Sequence, residues 1–362
     1  MSPRPAAGPA RTPFAIPSLD GIRACSFMLV FLGHAGAPMI PAGFGVTVFF
    51  FLSGYLITTL LRREAEANGK VSLKLFYLRR VFRILPPFYL VLTFALVLTL
   101  LGVLDRQFST AALVAQALHY SNFYVIEHGW GGLLGGTGVY WSLAVEEHFY
   151  LVFPAIYALM IKGQLHGRTQ HAVLLGLCAL VLAWRSWLAF GQGVTWDRTY
   201  IGSDTRFDAM LFGCALAVWG NPVLDFKQAD RPNVYELVAA AGGVALLLAS
   251  FLIRDLAFRV SIRYSLQGIA LYPLFFITIR HPHWTVGRFL NLRPVRFVGT
   301  LSYSLYLLHQ VMLYVTERNV PLPNAAQATL AFALSFVLAV GMWRFVEKPS
   351  AKLRARFSAG VA

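Results

Sequence analysis

The sequence contains few charged residues for its length. Only 13% of its 362 residues are Asp, Glu, Lys or Arg, and 57% are hydrophobic, whereas about 25% of a soluble globular chain is charged. Mean hydropathy is +0.61. Apolar stretches recur along the chain, and each is long enough to cross a bilayer core of about 30 Å. These features exclude a soluble protein and indicate a multi-pass membrane protein.

Cysteine is also scarce. The three cysteines, Cys25, Cys178 and Cys214, lie in apolar stretches without ligand-like spacing. This pattern argues against both a disulfide framework and a zinc site. We therefore expect packed free thiols and no bound metal.

The N-terminus lacks the small-residue cleavage site of a secretory signal peptide. Residues 1–18 are rich in Pro and Ala, and we expect a disordered cytoplasmic tail before a retained helix. The membrane domain is expected over residues 19–349, followed by a basic cytoplasmic tail over residues 350–362.

The apolar stretches predict an all-α integral membrane protein with about ten transmembrane helices. The predicted spans are 20–38, 44–61, 83–103, 141–161, 172–190, 207–220, 234–253, 261–279, 297–315 and 327–346. Most of the 31 Lys and Arg fall in segments that alternating spans place on one side. The positive-inside rule identifies that side as the cytoplasm, with both termini on it. Topology thus explains most of the positive charge, and no nucleic-acid partner is expected.

One basic cluster is denser than orientation requires. In residues 73–85 apolar residues recur at helical spacing with Lys and Arg between them, and Pro86–Pro87 follows. This pattern predicts an interfacial amphipathic helix that ends at the prolines. Arg80 and Arg83, three residues apart, share one helix face. They fit either anchoring to anionic membrane lipid or the binding of a polyphosphate.

The stretch LDGIRACSFMLVFLGHA places Arg23 and His34 in the first apolar span. Eleven residues are about three helical turns, so both side chains share one face about 16 Å apart. Ionisable groups inside a span are costly and usually face a polar cavity or a partner. His34 is therefore either a structural histidine bonded to a neighbouring helix or part of a functional site.

Polar groups interrupt other spans as well. Ser53 and Gly54 lie in the second span, where Gly54 permits either close helix approach or a thin substrate arm. The fourth span carries adjacent carboxylates, and we expect at least one of them to pair with His or Arg. The remaining polar positions are Trp141, Ser142, Glu146 and Glu147 in WSLAVEEHFY, Arg206 and Asp208 in RFDAMLFG, and Tyr306 and His309 in LSYSLYLLHQ.

Together these residues predict a water-accessible path through the bundle. Its cytoplasmic end is rich in arginine, which suits a phosphorylated donor, and His34 lies at the far end. A histidine held by a carboxylate is a common general base for a hydroxyl group. The layout is typical of a transferase.

The chain resembles the membrane acyltransferase-3 family, which O-acylates sugars, polysaccharides, lipids and some macrolides. The resemblance extends from Leu19 to Pro349. It is carried by LDGIRA with ten residues between Arg23 and His34, and by FFFLSGYLI, RRVFR, WSLAVEEHFYLVFP, RFDAMLFGCALA, LSYSLYLLHQ and RFVEKP.

The resemblance implies transfer of an acyl group, usually acetyl, from acyl-CoA in the cytoplasm to an acceptor hydroxyl, in the inner membrane of a bacterium. Coenzyme A phosphates would bind Arg80 and Arg83, with Arg23, while His34 acts as the base. Glu146 or Glu147 would orient His34, and Ser53, a backbone amide or Arg23 would stabilise the oxyanion. An acyl-enzyme on His34 or Ser53 stays open. The remaining expected site residues are Gly54, Asp20, Trp141, Ser142, Arg206, Asp208, Tyr306 and His309.

The acceptor is left open by the sequence. A glycan or glycolipid of the cell envelope is expected, with a small secondary metabolite such as a macrolide as the alternative. Trp130, Trp196 and Tyr200 suit either sugar stacking or an interfacial aromatic belt. Many relatives carry a C-terminal SGNH hydrolase-like domain that finishes the transfer. The given sequence stops shortly after VEKP, so we expect either direct acylation of the acceptor or a separate periplasmic partner. A proton-coupled transporter or flippase is the rival function.

Overall fold

The fold is helical throughout the part of the chain that the structure describes. The structure is a computed structural model, and it describes residues 15–37 and 39–355. A short 3-10 turn covers Ser203–Thr205 and a π-helical turn covers Trp343–Glu347. The helices are α1 Leu19–His34, α2 Ala42–Asn68, α3 Leu73–Leu100, α4 Thr110–Ala117, α5 Ser121–His128, α6 Tyr140–Lys162, α7 Gly167–Gly191, α8 Trp196–Ile201, α9 Phe207–Val218, α10 Val234–Leu252, α11 Leu256–Val260, α12 Ile262–Arg280, α13 Thr285–Leu290, α14 Arg293–Asn319, α15 Asn324–Met342 and α16 Lys348–Ala355.

Seven described helices are long and apolar enough to cross a membrane. They are α2, α3, α6, α7, α10, α12 and the continuous run from α15 to Arg354. The other predicted spans also coincide with helices, namely α1, α9 and α14. However, α1 and α9 have only 16 and 12 residues, and α14 carries more polar residues. A multi-pass helical protein is thus confirmed, while ten spans and cytoplasmic termini stay predictions.

The predicted break at the two prolines is wrong. Helix α3 runs without interruption from Leu73 to Leu100 and contains Pro86–Pro87. The basic segment is therefore the first half of a long helix and not a separate interfacial helix. Beside the prolines, the Tyr303 hydroxyl donates to the Ile84 carbonyl at 3.0 Å.

Helices α2 and α9 are pressed together in the centre of the bundle. A side chain at Gly54 would collide with the Met210 carbonyl, and one at Gly213 with the Phe51 carbonyl. Small residues let two backbones approach in this way, which gains dispersion contacts inside a membrane protein. Of the two interpretations of Gly54, close helix approach is the one observed, and its expected role in binding the donor stays a prediction.

The two ends of the described chain are also held by contacts. Ser18 is buried, and its hydroxyl donates to the Thr278 carbonyl at 2.9 Å. Helix α16 continues the chain after the π-helical turn and packs against α3. The segment predicted as a basic tail from residue 350 is therefore helical up to Ala355. The rest of both predicted tails lies outside the described residues.

Candidate functional site

Most of the predicted site residues meet in one cavity of about 770 Å³ between α1, α2, α3, α6 and α14. We call it the arginine cavity. Its polar lining residues are Arg23, Ser53, Arg80, Arg83, Ser142, Glu146, Glu147, Tyr150, Ser302, Tyr303 and Tyr306. Polar residues from five helices thus meet in one cavity, and their role there stays a prediction.

The arginine cavity combines guanidinium groups with carboxylates. Arg23 pairs with Asp20 at 3.0 Å, and the Arg80 guanidinium lies 4.3 Å from the centre of the Tyr150 ring. Glu146 accepts a hydrogen bond of 2.6 Å from the Ser53 hydroxyl. These contacts fix the side chains, and the lining offers three guanidinium groups against two carboxylates, so it has the donor groups that suit an anion.

A further guanidinium joins this group from the C-terminal helix. Arg354 of α16 lies close enough to Arg80 and Arg83 to interact with both charges. Nothing in the sequence singles out Arg354 from other basic residues near the C-terminus. The packing of α16 on α3 brings it near the arginines of the cavity.

A larger cavity of about 1340 Å³ adjoins the arginine cavity and shares Arg23, Leu56 and Arg83 with it. We call it the vestibule. Arg296 and His283 add further basic groups to its wall. The shared residues join the two spaces, so a long anionic molecule in the vestibule could extend one end into the arginine cavity.

His34 lies elsewhere, paired with a second histidine. Its Nδ1 is 3.0 Å from Nε2 of His309, and His309 Nδ1 is 2.7 Å from the Tyr306 carbonyl oxygen. A carbonyl only accepts, so His309 Nδ1 carries the hydrogen and its Nε2 presents a lone pair. His34 Nδ1 therefore donates to His309. The lone pair of neutral His34 is left on Nε2, as a general base requires.

The predicted pairing of His34 with a carboxylate is therefore wrong. Glu146 and Glu147 line the arginine cavity instead, and His309 takes the orienting position that was assigned to them. The Ser53 hydroxyl donates to Glu146, so this serine is held in the arginine cavity too. Sequence spacing placed His309 on the polar face of its helix but did not indicate which residue it meets.

His34 faces a third cavity of about 990 Å³, which we call the histidine cavity. Aromatic rings form much of its wall, and a glycine-rich segment over residues 133–139 forms another side. The lining residues are His34, Trp130, Leu133, Leu134, Gly135, Gly136, Gly138, Val139, Trp141, Trp196, Tyr200, Gln310 and Tyr314.

Helix α8, which carries Trp196 and Tyr200, is fastened by an ion pair. Arg198 binds Asp204 at 2.5 and 2.9 Å, and the Trp184 indole N–H donates to Asp204 at 2.7 Å. Burial by itself would raise the pKa of Asp204, but these hydrogen bonds outweigh it and hold the pKa below its usual value. The carboxylate is thus ionised near neutral pH and keeps α8 in place.

The predicted open path between the arginines and His34 is interrupted in this structure. The Ser142 and Tyr306 hydroxyl oxygens are 2.6 Å apart, and both groups reach the Val139 carbonyl. Ser142 and Tyr306 line the arginine cavity, whereas Val139 and Trp141 line the histidine cavity. The hydrogen-bonded hydroxyl groups of Ser142 and Tyr306, which we call the partition, separate the arginine cavity from the histidine cavity.

Arg206 and Asp208 line neither the arginine cavity nor the histidine cavity as the described residues form them. Asp208 forms a fully buried ion pair with Arg185 at 2.9 Å. Arg206 is also fully buried, with its guanidinium 4.1 Å from the centre of the Tyr264 ring. Asp208 is thus paired with Arg185, whereas Arg206 is held among aromatic rings and donates to the Thr47 hydroxyl and the Tyr200 carbonyl. Their expected role at the site stays a prediction. The sequence missed the partner Arg185.

The three cysteines are free thiols, and two of them are buried. In residues 15–37 and 39–355, no group of three or more His, Cys, Asp or Glu side chains is arranged to hold a metal ion.

Comparison with known proteins gives one family and several relatives. The family model described as "Acyltransferase domain", acyltransferase-3, matches residues 16–344. The peptidoglycan O-acetyltransferase OatA of Listeria monocytogenes is 31% identical over 354 residues, which are 93% of this chain and 56% of that protein. The O-acetyltransferase OatA of Staphylococcus aureus is 30% identical over 364 residues, 94% of this chain and 58% of the relative. No solved structure matches the chain significantly.

The chain thus spans somewhat more than half the length of these curated relatives. The matched part includes every residue of the arginine cavity and the histidine cavity, since all of them lie between residues 16 and 344.

Proposed function

The chain belongs to the membrane acyltransferase-3 family, and from this premise we propose that it moves an acetyl group from acetyl-CoA to a hydroxyl group of a cell-envelope glycan. The relatives named as O-acetyltransferases support this type of reaction. The observation that carries the proposal is the pairing of an arginine cavity with a histidine dyad on the two sides of one hydrogen-bonded partition.

The vestibule and the arginine cavity suit the donor. Coenzyme A joins a phosphorylated nucleotide to a thin pantetheine arm. Its phosphates would bind Arg80, Arg83 and Arg354, with Arg23 at the junction of the two cavities. The arm would extend along the arginine cavity toward Ser142 and Tyr306. Glu146 and Glu147 would balance the guanidinium charges when no donor is bound.

His34 would act as the general base. Its Nε2 lone pair takes the proton of the acceptor hydroxyl as the oxygen attacks the acyl carbon. An oxygen–carbon bond forms, the carbon–sulfur bond of the thioester breaks, and the proton passes from His34 to the departing thiolate. CoA leaves as the thiol. His309 keeps His34 in the required tautomer, as the carboxylate does in a serine protease triad.

The thioester and the acceptor must meet near the partition, so the Ser142–Tyr306 contact has to open during turnover. We place the arginine end of the bundle in the cytoplasm, where acyl-CoA occurs, and the histidine end at the outer face of the bacterial inner membrane. A separate transferase that accepts the acetyl group at that face is compatible with this arrangement. Acylation of a macrolide would use the same chemistry at the histidine cavity.

The base is tested by His34→Ala in protein purified into lipid nanodiscs. We expect the rate of acetyl transfer to fall about 10²- to 10⁴-fold, with normal insertion. His128→Ala is the matched control, because His128 is an exposed histidine. Wild-type transfer by the His34 variant would contradict the proposal.

The donor site is tested by Arg83→Ala and Arg354→Ala. Loss of one charge-assisted hydrogen bond weakens binding by about tenfold, so KM for acetyl-CoA should rise by that factor while KM for the acceptor stays unchanged. Lys74→Ala serves as the control, since Lys74 is exposed on the same helix as Arg83. An equal rise in both KM values would instead indicate that these arginines only stabilise the fold.

A further inference from the structure

The histidine cavity differs from the arginine cavity in its charge. Within the described ranges no Asp, Glu, Lys or Arg side chain lines it, and His34 is its one titratable group besides tyrosine. An ionised ligand in such a cavity would be without a counter-charge, and removing an unpaired charge from water is costly. The cavity therefore suits an uncharged molecule.

Flat aromatic faces define the shape of this cavity. Trp196 and Tyr200 of α8 stack with their ring centres 4.3 Å apart and their planes at 19°. Tyr200 also contacts Trp141, at 4.9 Å between ring centres. Each of these rings borders the cavity. One wall is thus a continuous aromatic surface built from two segments of the chain.

Trp130 borders the same cavity and is fixed in orientation. Its indole N–H donates to Asp197 at 3.0 Å, which ties the loop after α5 to α8. This bond engages the polar N–H, so the rest of the indole ring contributes apolar surface to the cavity. The ligand site therefore has aromatic surfaces on both Trp130 and α8.

The glycine-rich segment brings polar groups next to the rings. Gly136 has a φ of +75° and leaves no room for a side chain against the Val311 backbone. The chain can therefore lie directly on α14, where the Val139 N–H donates to the Gln310 side-chain oxygen at 3.1 Å. The NH₂ group of Gln310 is then the part of this side chain that can donate to a ligand.

We infer that the histidine cavity is a subsite for an uncharged pyranose ring of the acceptor glycan, with Trp130 and Trp196 as its stacking residues. A pyranose has apolar C–H faces that pack on aromatic rings and a rim of hydroxyl groups that needs a few polar partners. Without the open solvent at its mouth, the cavity volume is about 450 Å³, which is within the range of about 300–1,000 Å³ typical of ligand cavities and suits one or two such rings. A ring held between these faces presents a hydroxyl group to His34.

This inference rests on the proposed function and narrows its acceptor. An interfacial aromatic belt is the competing explanation of these tryptophans. Trp187 provides the contrast, because it is about as exposed as Trp130 and Trp196 but stacks on Trp184 of its own helix α7. It does not border the histidine cavity as the described residues form it.

The experiment uses the full chain in lipid nanodiscs and the tetrasaccharide of β-1,4-linked N-acetylglucosamine as the probe. Binding is measured by calorimetry without donor, and transfer is measured with acetyl-CoA. Trp130→Ala and Trp196→Ala should each weaken tetrasaccharide binding at least tenfold and raise its KM equally. KM for acetyl-CoA should stay unchanged, and Trp187→Ala should alter none of these values. Trp196→Phe, which keeps a ring face, should retain most of the binding.

A second comparison tests whether the histidine cavity disfavours a charged ligand. The fully deacetylated tetrasaccharide carries ammonium groups and should bind at least tenfold more weakly than the N-acetylated form. Equal binding of the two sugars, no binding of the N-acetylated tetrasaccharide to the wild type, or unchanged binding in both tryptophan variants would overturn the inference. If the wild type binds the tetrasaccharide in a Trp196-dependent way but never consumes acetyl-CoA, the subsite stands and the proposed function fails.

Discussion

At the scale of single residues, the pairing of His34 with His309 is the feature with the clearest chemical consequence. One backbone carbonyl, that of Tyr306, fixes the hydrogen on His309 Nδ1. His309 Nε2 therefore accepts the hydrogen of His34 Nδ1, and the lone pair of His34 is left on Nε2. His309 is fully buried and packs edge-on against Phe27 at 5.8 Å between ring centres, so its ring cannot easily turn to offer the other nitrogen.

We predict that His309→Phe lowers kcat for acetyl transfer about 10²-fold, because nothing then fixes the tautomer of His34. KM for acetyl-CoA and for the acceptor should stay close to the wild-type values. His309→Asn should recover a large part of the rate, since its amide oxygen can accept from His34 Nδ1. Steady-state measurements of kcat and KM for both variants show whether His309 fixes the tautomer of His34. An Asn variant as slow as the Phe variant would indicate that His309 serves only to fill space.

At the scale of helices, close contact between α2 and α9 holds the centre of the bundle. Ser53 and Gly54 are neighbours in α2, but they point to different environments. Ser53 lines the arginine cavity, whereas Gly54 lies against the Met210 carbonyl. A single turn of helix thus carries one residue for the cavity and one for packing, which explains how a Ser-Gly pair serves both purposes.

We expect Gly54→Ala to lower the thermal stability of the protein, because the added methyl group would overlap the Met210 carbonyl and force the two helices apart. Gly176→Ala is a matched control on α7, where a side chain meets nothing within 4 Å. That change should be neutral or slightly stabilising, since alanine favours helix by about 1 kcal/mol over glycine. Melting temperatures in detergent provide the measurement. Equal melting temperatures for the two variants would refute the packing role of Gly54.

At the scale of the whole molecule, the bundle encloses spaces of opposite character. The arginine cavity and the vestibule gather positive charge from α1, α3, α14 and α16, and the histidine cavity is uncharged and aromatic. The hydroxyl groups of Ser142 and Tyr306 lie between them. Such a partition would keep water from the histidine end away from a bound thioester until an acceptor is present.

We therefore predict that Tyr306→Phe increases the hydrolysis of acetyl-CoA in the absence of acceptor. The phenyl ring preserves the packing against Phe49, at 5.9 Å between ring centres, but it cannot bond to Ser142 or the Val139 carbonyl. Release of CoA thiol without sugar should rise several-fold relative to acetyl transfer. Tyr89→Phe is the control, because Tyr89 is a partly exposed tyrosine with a single hydrogen bond, to the Ala117 carbonyl. An unchanged ratio would show that the partition does not exclude water.

The sequence by itself determined the class of the fold and the chemical groups of the site. Long apolar stretches specify membrane helices because a bilayer leaves the backbone few other options, and polar residues such as Arg23 and Glu146 in those stretches mark the face that meets a cavity. Only the tertiary structure decided which side chains contact one another. Helix spacing describes one helix at a time, so it could not reveal that His34 meets His309, that Asp208 meets Arg185, or that Arg354 lies near Arg80 and Arg83. These contacts depend on how neighbouring helices are rotated and shifted against one another, which is settled by the packing of the whole bundle.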